Sequence, residues 1–171
     1  MGYEYPWSGC ITDYKFGGDP GWASALATLL RSTPWVEPAL ESADLLLPMP
    51  LSAQRLQERG FNQAQLLARA LSPTKIDSGL LLRIRDTVHQ TGLDRAMRMR
   101  NLHGAFAVEP LRADVLRGKR VVLVDDVMTS GASLHTAAAV LRQAGVAHIT
   151  GMVVARTEAG RQDHAITSHH G

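Results

Sequence analysis

A single cysteine, Cys10, stands among 171 residues. An intramolecular disulfide is therefore excluded, as is a cysteine-built zinc ribbon, and Cys10 reads as a small apolar residue. No run of 18 apolar residues occurs, and no basic-then-apolar leader opens the chain. The sequence thus predicts a soluble, cytoplasmic protein with no membrane partner. Lysine is scarce as well: only Lys15, Lys75 and Lys119 are lysines among 18 basic residues, and the rest are arginine. Arginine is the better planar, two-pronged partner for phosphate, although a GC-rich genome produces the same bias. The formal net charge of +2 does not by itself point to nucleic acid. The one Gly-Lys pair, Gly118-Lys119, is followed by Arg120 rather than Ser or Thr, which rules out a P-loop. What remains is 45% hydrophobic and 20% charged, at a length that suits one sizeable core.

Trp22, Leu26, Leu29 and Leu30 recur at helical spacing over residues 20–31, and Pro34 and Pro38 are expected to close that helix. Residues 43–47 form a short apolar run stopped by Pro48-Met49-Pro50, the pattern of a buried strand ending in a stiff turn. Asn62 is placed to cap a helix carrying Ala64, Leu66, Leu67, Ala70 and Leu71, which ends before Pro73. Residues 80–84 and 105–108 read as further strands. Over residues 85–103 the periodicity collapses: Arg85, Arg95, Arg98 and Arg100 are interleaved with Asp86, Gln90, Asp94 and Asn101. A polar stretch of this length inside a compact domain is either a functional loop or a disordered one. Residues 120–124 then read as a strand, 133–144 as a helix stopped by Gly145, and 149–155 as another strand. Strand, helix, strand at this spacing is a parallel crossover, so the chain is predicted to be α/β. The polar tail over 158–171 is expected to be disordered; its His164, His169 and His170 lack a metal-ligand spacing.

The joint between strand and helix carries the chemistry. Val121, Val122, Leu123 and Val124 lead into Asp125 and Asp126, and Thr129, Ser130, Gly131, Ala132 and Ser133 lead out. In open parallel sheets the ligand crevice lies at the carboxyl ends of the strands, where this joint falls. The small residues let backbone amides approach a ligand, and the helix they open adds N–H groups and a positive dipole end, which suit a phosphate monoester. Two carboxylates so near would repel that phosphate. They make sense as acceptors for the hydroxyls of a sugar attached to it. An apolar strand ending in two acids also occurs in receiver domains, but there it starts a module of about a hundred residues, and only 45 residues follow Asp126.

These residues resemble the motif of type I phosphoribosyltransferases that binds phosphoribosyl pyrophosphate (PRPP). The resemblance implies a type I phosphoribosyltransferase-like α/β fold, a mostly parallel central sheet flanked by helices, as one domain over residues 1–157. It implies that Asp125 and Asp126 bind the ribose hydroxyls and that Thr129, Ser130, Gly131, Ala132 and Ser133 bind the 5-phosphate. Mg²⁺ is the implied cofactor, reached by Asp125 and Asp126 indirectly, through ribose hydroxyls or water. The turn after the first core strand would hold pyrophosphate, which implicates Met49, Pro50, Arg55 and Arg59; the last two, at i and i+4, share one helix face. Residues 85–103 resemble the mobile lid of these enzymes, with Arg95, Arg98 and Arg100 as catalytic residues that stabilise departing pyrophosphate.

Three further segments are similar to one subgroup, the ComF family of competence-associated proteins. They are Tyr14-Lys15-Phe16-Gly17-Gly18, Pro48-Met49-Pro50-Leu51 with Arg59-Gly60-Phe61-Asn62-Gln63, and the loop bearing Gln90, Arg95, Arg98, Arg100, Asn101 and Leu102 ahead of Gly104-Ala105-Phe106. Family members commonly begin with a four-cysteine zinc-binding segment that this sequence does not carry: either the chain starts downstream of it or the lineage lost it. Two functions follow as expectations. One is phosphoribosyl transfer from PRPP to a nitrogenous acceptor with release of pyrophosphate. The other is a non-catalytic PRPP- or nucleotide-binding module, associated with single-stranded DNA or the competence machinery. A homodimer is compatible with either.

Overall fold

The computed structural model describes residues 21–85 and 102–156. Helix α1 is Trp22–Arg31, and α2 follows at Val36–Ser42. The first helix ends at Arg31, ahead of Pro34, as the sequence predicts, but a second helix that the sequence did not announce follows and contains Pro38. Pro38 is the third residue of α2, inside the first turn, where a backbone N–H has no intrahelical acceptor and its absence costs nothing. Strand β1 is Leu45–Pro48, α3 is Ala53–Arg59 and α4 is Gln63–Leu71. Strands β2 (Leu81–Arg83) and β3 (Phe106–Val108) precede a 3₁₀ helix, Pro110–Leu116. Strand β4 is Arg120–Met128, α5 is Ala132–Gln143 and β5 is His148–Arg156.

The main sheet has the order β1-β4-β5, and both pairings are parallel. Leu46 also bridges to Ile76 in parallel, so the segment before β2 runs along the outer edge of β1. Strands β2 and β3 do not join this sheet; they pair antiparallel with each other as a separate hairpin-like ribbon. Register at the amino end is fixed by a reciprocal bond. Asp44 donates its N–H to the Arg120 carbonyl at 2.8 Å, and its Oδ2 accepts from the Arg120 N–H at 2.7 Å.

β4 is apolar on both faces because both are covered. Val122 and Val124 pack with Leu26 and Leu30 of α1, Leu40 of α2, and Leu67 and Leu71 of α4. Val121 and Leu123 pack with Leu81 and Phe106 of the β2–β3 ribbon and with Ala137 and Leu141 of α5. Helices therefore flank a parallel sheet.

The β2–β3 side is tied down by Asp77. Its Oδ1 accepts from the Gly79 N–H at 3.0 Å and from Arg112 Nη1 at 3.3 Å, and Oδ2 takes the second guanidinium nitrogen. Burial pushes the Asp77 carboxyl up, but the Arg112 guanidinium and the Gly79 N–H outweigh it and hold it below its ordinary value of 3.8. A carboxyl depressed in the folded state stabilises fully above the ordinary value and loses that contribution as the pH falls through the folded one. Parent and Asp77→Asn are therefore expected to differ in thermal midpoint at pH 7 and to converge under acid conditions. A constant difference down to the lowest pH reached would remove the ionised clamp.

Candidate functional site

Two acids were expected at the very end of the strand, one step before the turn. The structure corrects this: β4 continues through Asp125 and Asp126 to Met128, because Val127 and Met128 still pair with Ala155 and Arg156 of β5. Asp125 is half-buried and Asp126 buried, with 9% of its surface exposed. Each carboxylate is oriented by the next peptide. Asp125 Oδ1 accepts from the Asp126 N–H at 2.9 Å, and Asp126 Oδ1 accepts from the Val127 N–H at 2.7 Å. These bonds orient both side chains, and carboxylates held by N–H donors stay good acceptors for hydroxyls.

The turn follows at once. Thr129 is exposed, Ser130 and Ser133 are half-buried, and Gly131 and Ala132 are buried. Gly131 is the N-cap of α5 with φ 73°, in the left-handed region that side chains disfavour. A Cβ there would meet Met128 Sδ at 3.3 Å and the His135 ring at 3.5 Å. Having no side chain, Gly131 cannot cap the helix itself; Ser130 Oγ accepts from the Ala132 N–H at 3.3 Å instead. The helix runs 12 residues beyond this turn, long enough for its positive end to act on an anion.

Across from the acids lies the turn after β1. The Pro48 position pairs with Val124, and the Met49 N–H donates to the Val124 carbonyl at 2.8 Å. Met49 and Pro50 thus sit level with Asp125 on the neighbouring strand. Arg55 and Arg59 both fall on α3, which has no buried residues and is capped by Ser52, whose Oγ accepts from the Arg55 N–H at 3.3 Å. Both arginines are half-buried. Arg59 Nη1 donates to Oε1 of buried Gln63 at 3.1 Å, so its guanidinium is anchored rather than trailing in solvent. Arg95, Arg98 and Arg100 lie outside the described residues, as do Lys15 and Cys10, the tail over 158–171, and nearly all of the expected lid.

The structure therefore brings together Met49, Pro50, Asp125, Asp126 and the turn from Thr129 to Ser133 at one end of the sheet. Asn62 and Gln63, which the sequence showed only as a cap and part of a motif, also belong there: Asn62 Nδ2 donates to the Met49 carbonyl at 3.0 Å. The sequence signal was present in the Arg-Gly-Phe-Asn-Gln block, but a contact across 13 positions has no periodicity to reveal it. Among the described residues no group of three or more His, Cys, Asp or Glu side chains forms a metal cluster. No described helix is long and apolar enough to cross a membrane.

A family model described as the phosphoribosyl transferase domain matches residues 58–168. Together with the parallel sheet and the strand-to-helix turn, this defines the class as phosphoribosyltransferase-like. DNA utilization protein YhgH of Escherichia coli (strain K12) is 34% identical over 166 residues, covering 91% of this chain and 69% of that protein. Competence protein F of Haemophilus influenzae is 35% identical over 114 residues, covering 64% of this chain and 49% of that protein. The chain belongs to the ComF family of type I phosphoribosyltransferase-like proteins. Among solved structures, the glutamine PRPP amidotransferase from B. subtilis complexed with ADP and GMP shares the fold. Its TM-score is 0.53 at 19% identity, and the match covers 85% of this chain and 30% of that one.

Proposed function

We propose that the protein binds PRPP at the carboxyl end of β1 and β4 and transfers its phosphoribosyl group to a nitrogenous acceptor, releasing pyrophosphate. The observation that carries this reading is the adjacency of two N–H-oriented carboxylates, Asp125 and Asp126, to the glycine-centred turn that opens α5. The carboxylates would accept from the ribose 2- and 3-hydroxyls, and Thr129 to Ser133 would hold the 5-phosphate. Met49, Pro50, Arg55 and Arg59 would hold the pyrophosphate. Arg95, Arg98 and Arg100 would stabilise it as it leaves.

In the reaction the bond from ribose C1 to the pyrophosphate oxygen breaks, and its electron pair leaves with pyrophosphate. The acceptor nitrogen gives its lone pair to C1, and its proton passes to solvent. No nucleophilic side chain is required, so the protein contributes position and electrostatics. Mg²⁺, in its usual mode mostly hydrated and shared with substrate oxygens, would be reached by Asp125 and Asp126 indirectly, through water or the ribose hydroxyls. Bound there, it would offset the negative charge of the pyrophosphate.

A second reading draws on the names of the relatives, DNA utilization protein and competence protein. In it the same site binds PRPP or a nucleotide without turnover, and the protein works beside single-stranded DNA. One experiment separates the two: pyrophosphate release from PRPP and Mg²⁺ against a panel of nucleobases and amines. Release with one acceptor is the expected result. PRPP binding with no release across the panel shifts the assignment to the binding module, whose DNA affinity should fall steeply with salt. Absence of PRPP binding ends the transferase reading, and absence of PRPP, nucleotide and single-stranded DNA binding ends both.

A further inference from the structure

Three polar side chains are buried among the described residues: Ser52, Gln63 and Asp126. All three lie in segments at the carboxyl end of β1 and β4. Burying a polar group costs free energy unless it is bonded, so such groups mark places where geometry is being held. Gln63 is the most enclosed, with 1% of its surface exposed, and its Oε1 accepts from Arg59 Nη1 at 3.1 Å. Its neighbour Asn62 makes two bonds of different kinds. Oδ1 accepts from the Gln65 N–H at 3.4 Å and caps α4, while Nδ2 donates to the Met49 carbonyl at 3.0 Å.

Met49 is consequently gripped from both sides, its N–H by the Val124 carbonyl of β4 and its carbonyl by Asn62. A continuous path of hydrogen bonds and adjacent residues thus runs from β4 beside Asp125, through Met49 and Asn62, to Gln63 and the Arg59 guanidinium. Gly60, with φ 78°, ends α3 and turns the chain so that Arg59 can meet Gln63. Turning the Met49 carbonyl toward Asn62 also keeps its oxygen from opposing an anion at the turn.

We propose that Asn62 and Gln63 are positioning residues that set the Met49–Pro50 turn and the Arg59 guanidinium as one diphosphate-binding edge beside Asp125. This rests on the PRPP reading above and adds to it which residues shape the diphosphate half of the site. Neither side chain touches ligand; each acts through a partner that does.

The test compares PRPP with ribose 5-phosphate, which lacks the diphosphate, by titration calorimetry of the full chain with Mg²⁺. Asn62→Ser keeps a capping hydroxyl for α4 but is too short to reach the Met49 carbonyl. Gln63→Met keeps the volume and removes the acceptor for Arg59. In each variant PRPP affinity is expected to fall about tenfold while ribose 5-phosphate affinity stays within about twofold. A variant that retains the full preference for PRPP overturns the inference and leaves the PRPP reading standing. Equal losses for both ligands also overturn it, because the residues would then serve the fold alone. A parent that binds neither ligand sinks the PRPP reading, and the inference with it.

Discussion

Replacing Asp125 and Asp126 together by asparagine is expected to abolish PRPP binding while leaving the fold intact. Asparagine preserves the volume and keeps one carbonyl oxygen per side chain, so the Asp126 and Val127 N–H groups retain acceptors at these positions. Only the charge goes. Hydrogen bonds to an ionised group contribute about 1.5–3 kcal/mol each, so two together amount to roughly 3–6 kcal/mol, or about two to four orders of magnitude in affinity. Because both N–H groups keep their acceptors, the melting temperature of the double variant is expected to stay close to the parent's. Calorimetry with PRPP and Mg²⁺ and a thermal melt read the two effects separately. Parent-like affinity in the double variant ends the assignment of these acids to the sugar.

Gly131→Ala is expected to weaken the phosphate half of the site by on the order of a hundredfold, through loss of about 3 kcal/mol of amide-to-anion bonding. Two causes act together. The backbone at φ 73° costs a side-chain-bearing residue about 1–2 kcal/mol. The new methyl also meets the Met128 thioether at 3.3 Å and the His135 ring at 3.5 Å, and α5 begins at the next residue. Relaxing either contact moves the turn that would wrap the phosphate. Ribose 5-phosphate affinity should fall by the full factor, and affinity for inorganic pyrophosphate should change little. Unaltered binding of ribose 5-phosphate in a folded Gly131→Ala protein would place the 5-phosphate elsewhere.

The elements legible in the sequence were those with a regular apolar pattern, a strand covered on both faces or a helix buried along one stripe. Val121 to Val124 announce a covered strand because every side chain meets a core, and the α4 pattern is regular because Leu67 and Leu71 share one apolar face. The end of β4 from Asp125 to Met128 was hidden for another reason. Asp125 and Asp126 interrupt the apolar run although the backbone ladder continues, since pairing with β5 needs only main-chain groups. Helix α3 buries nothing and so offers no stripe to read. Helix α2 was masked by Pro38, whose effect depends on its place within the first turn. At the site, the acids and the turn were readable as a local motif. The grip of Asn62 on Met49 and of Gln63 on Arg59 was not, because tertiary contacts carry no spacing rule.

The pairing of β1 with β4 has a consequence for how the molecule is made. Asp44, just before β1, and Arg120, which opens β4, are 76 residues apart, so β1 leaves the ribosome long before its partner exists. At about 5–20 residues per second, that interval lasts roughly 4–15 s. During it the apolar Leu45-Leu46-Leu47 run has no neighbour on the β4 side, a condition that invites misassociation of nascent chains. A ligand that bridges both strand ends would hold the finished product together by mass action and slow its loss to proteases.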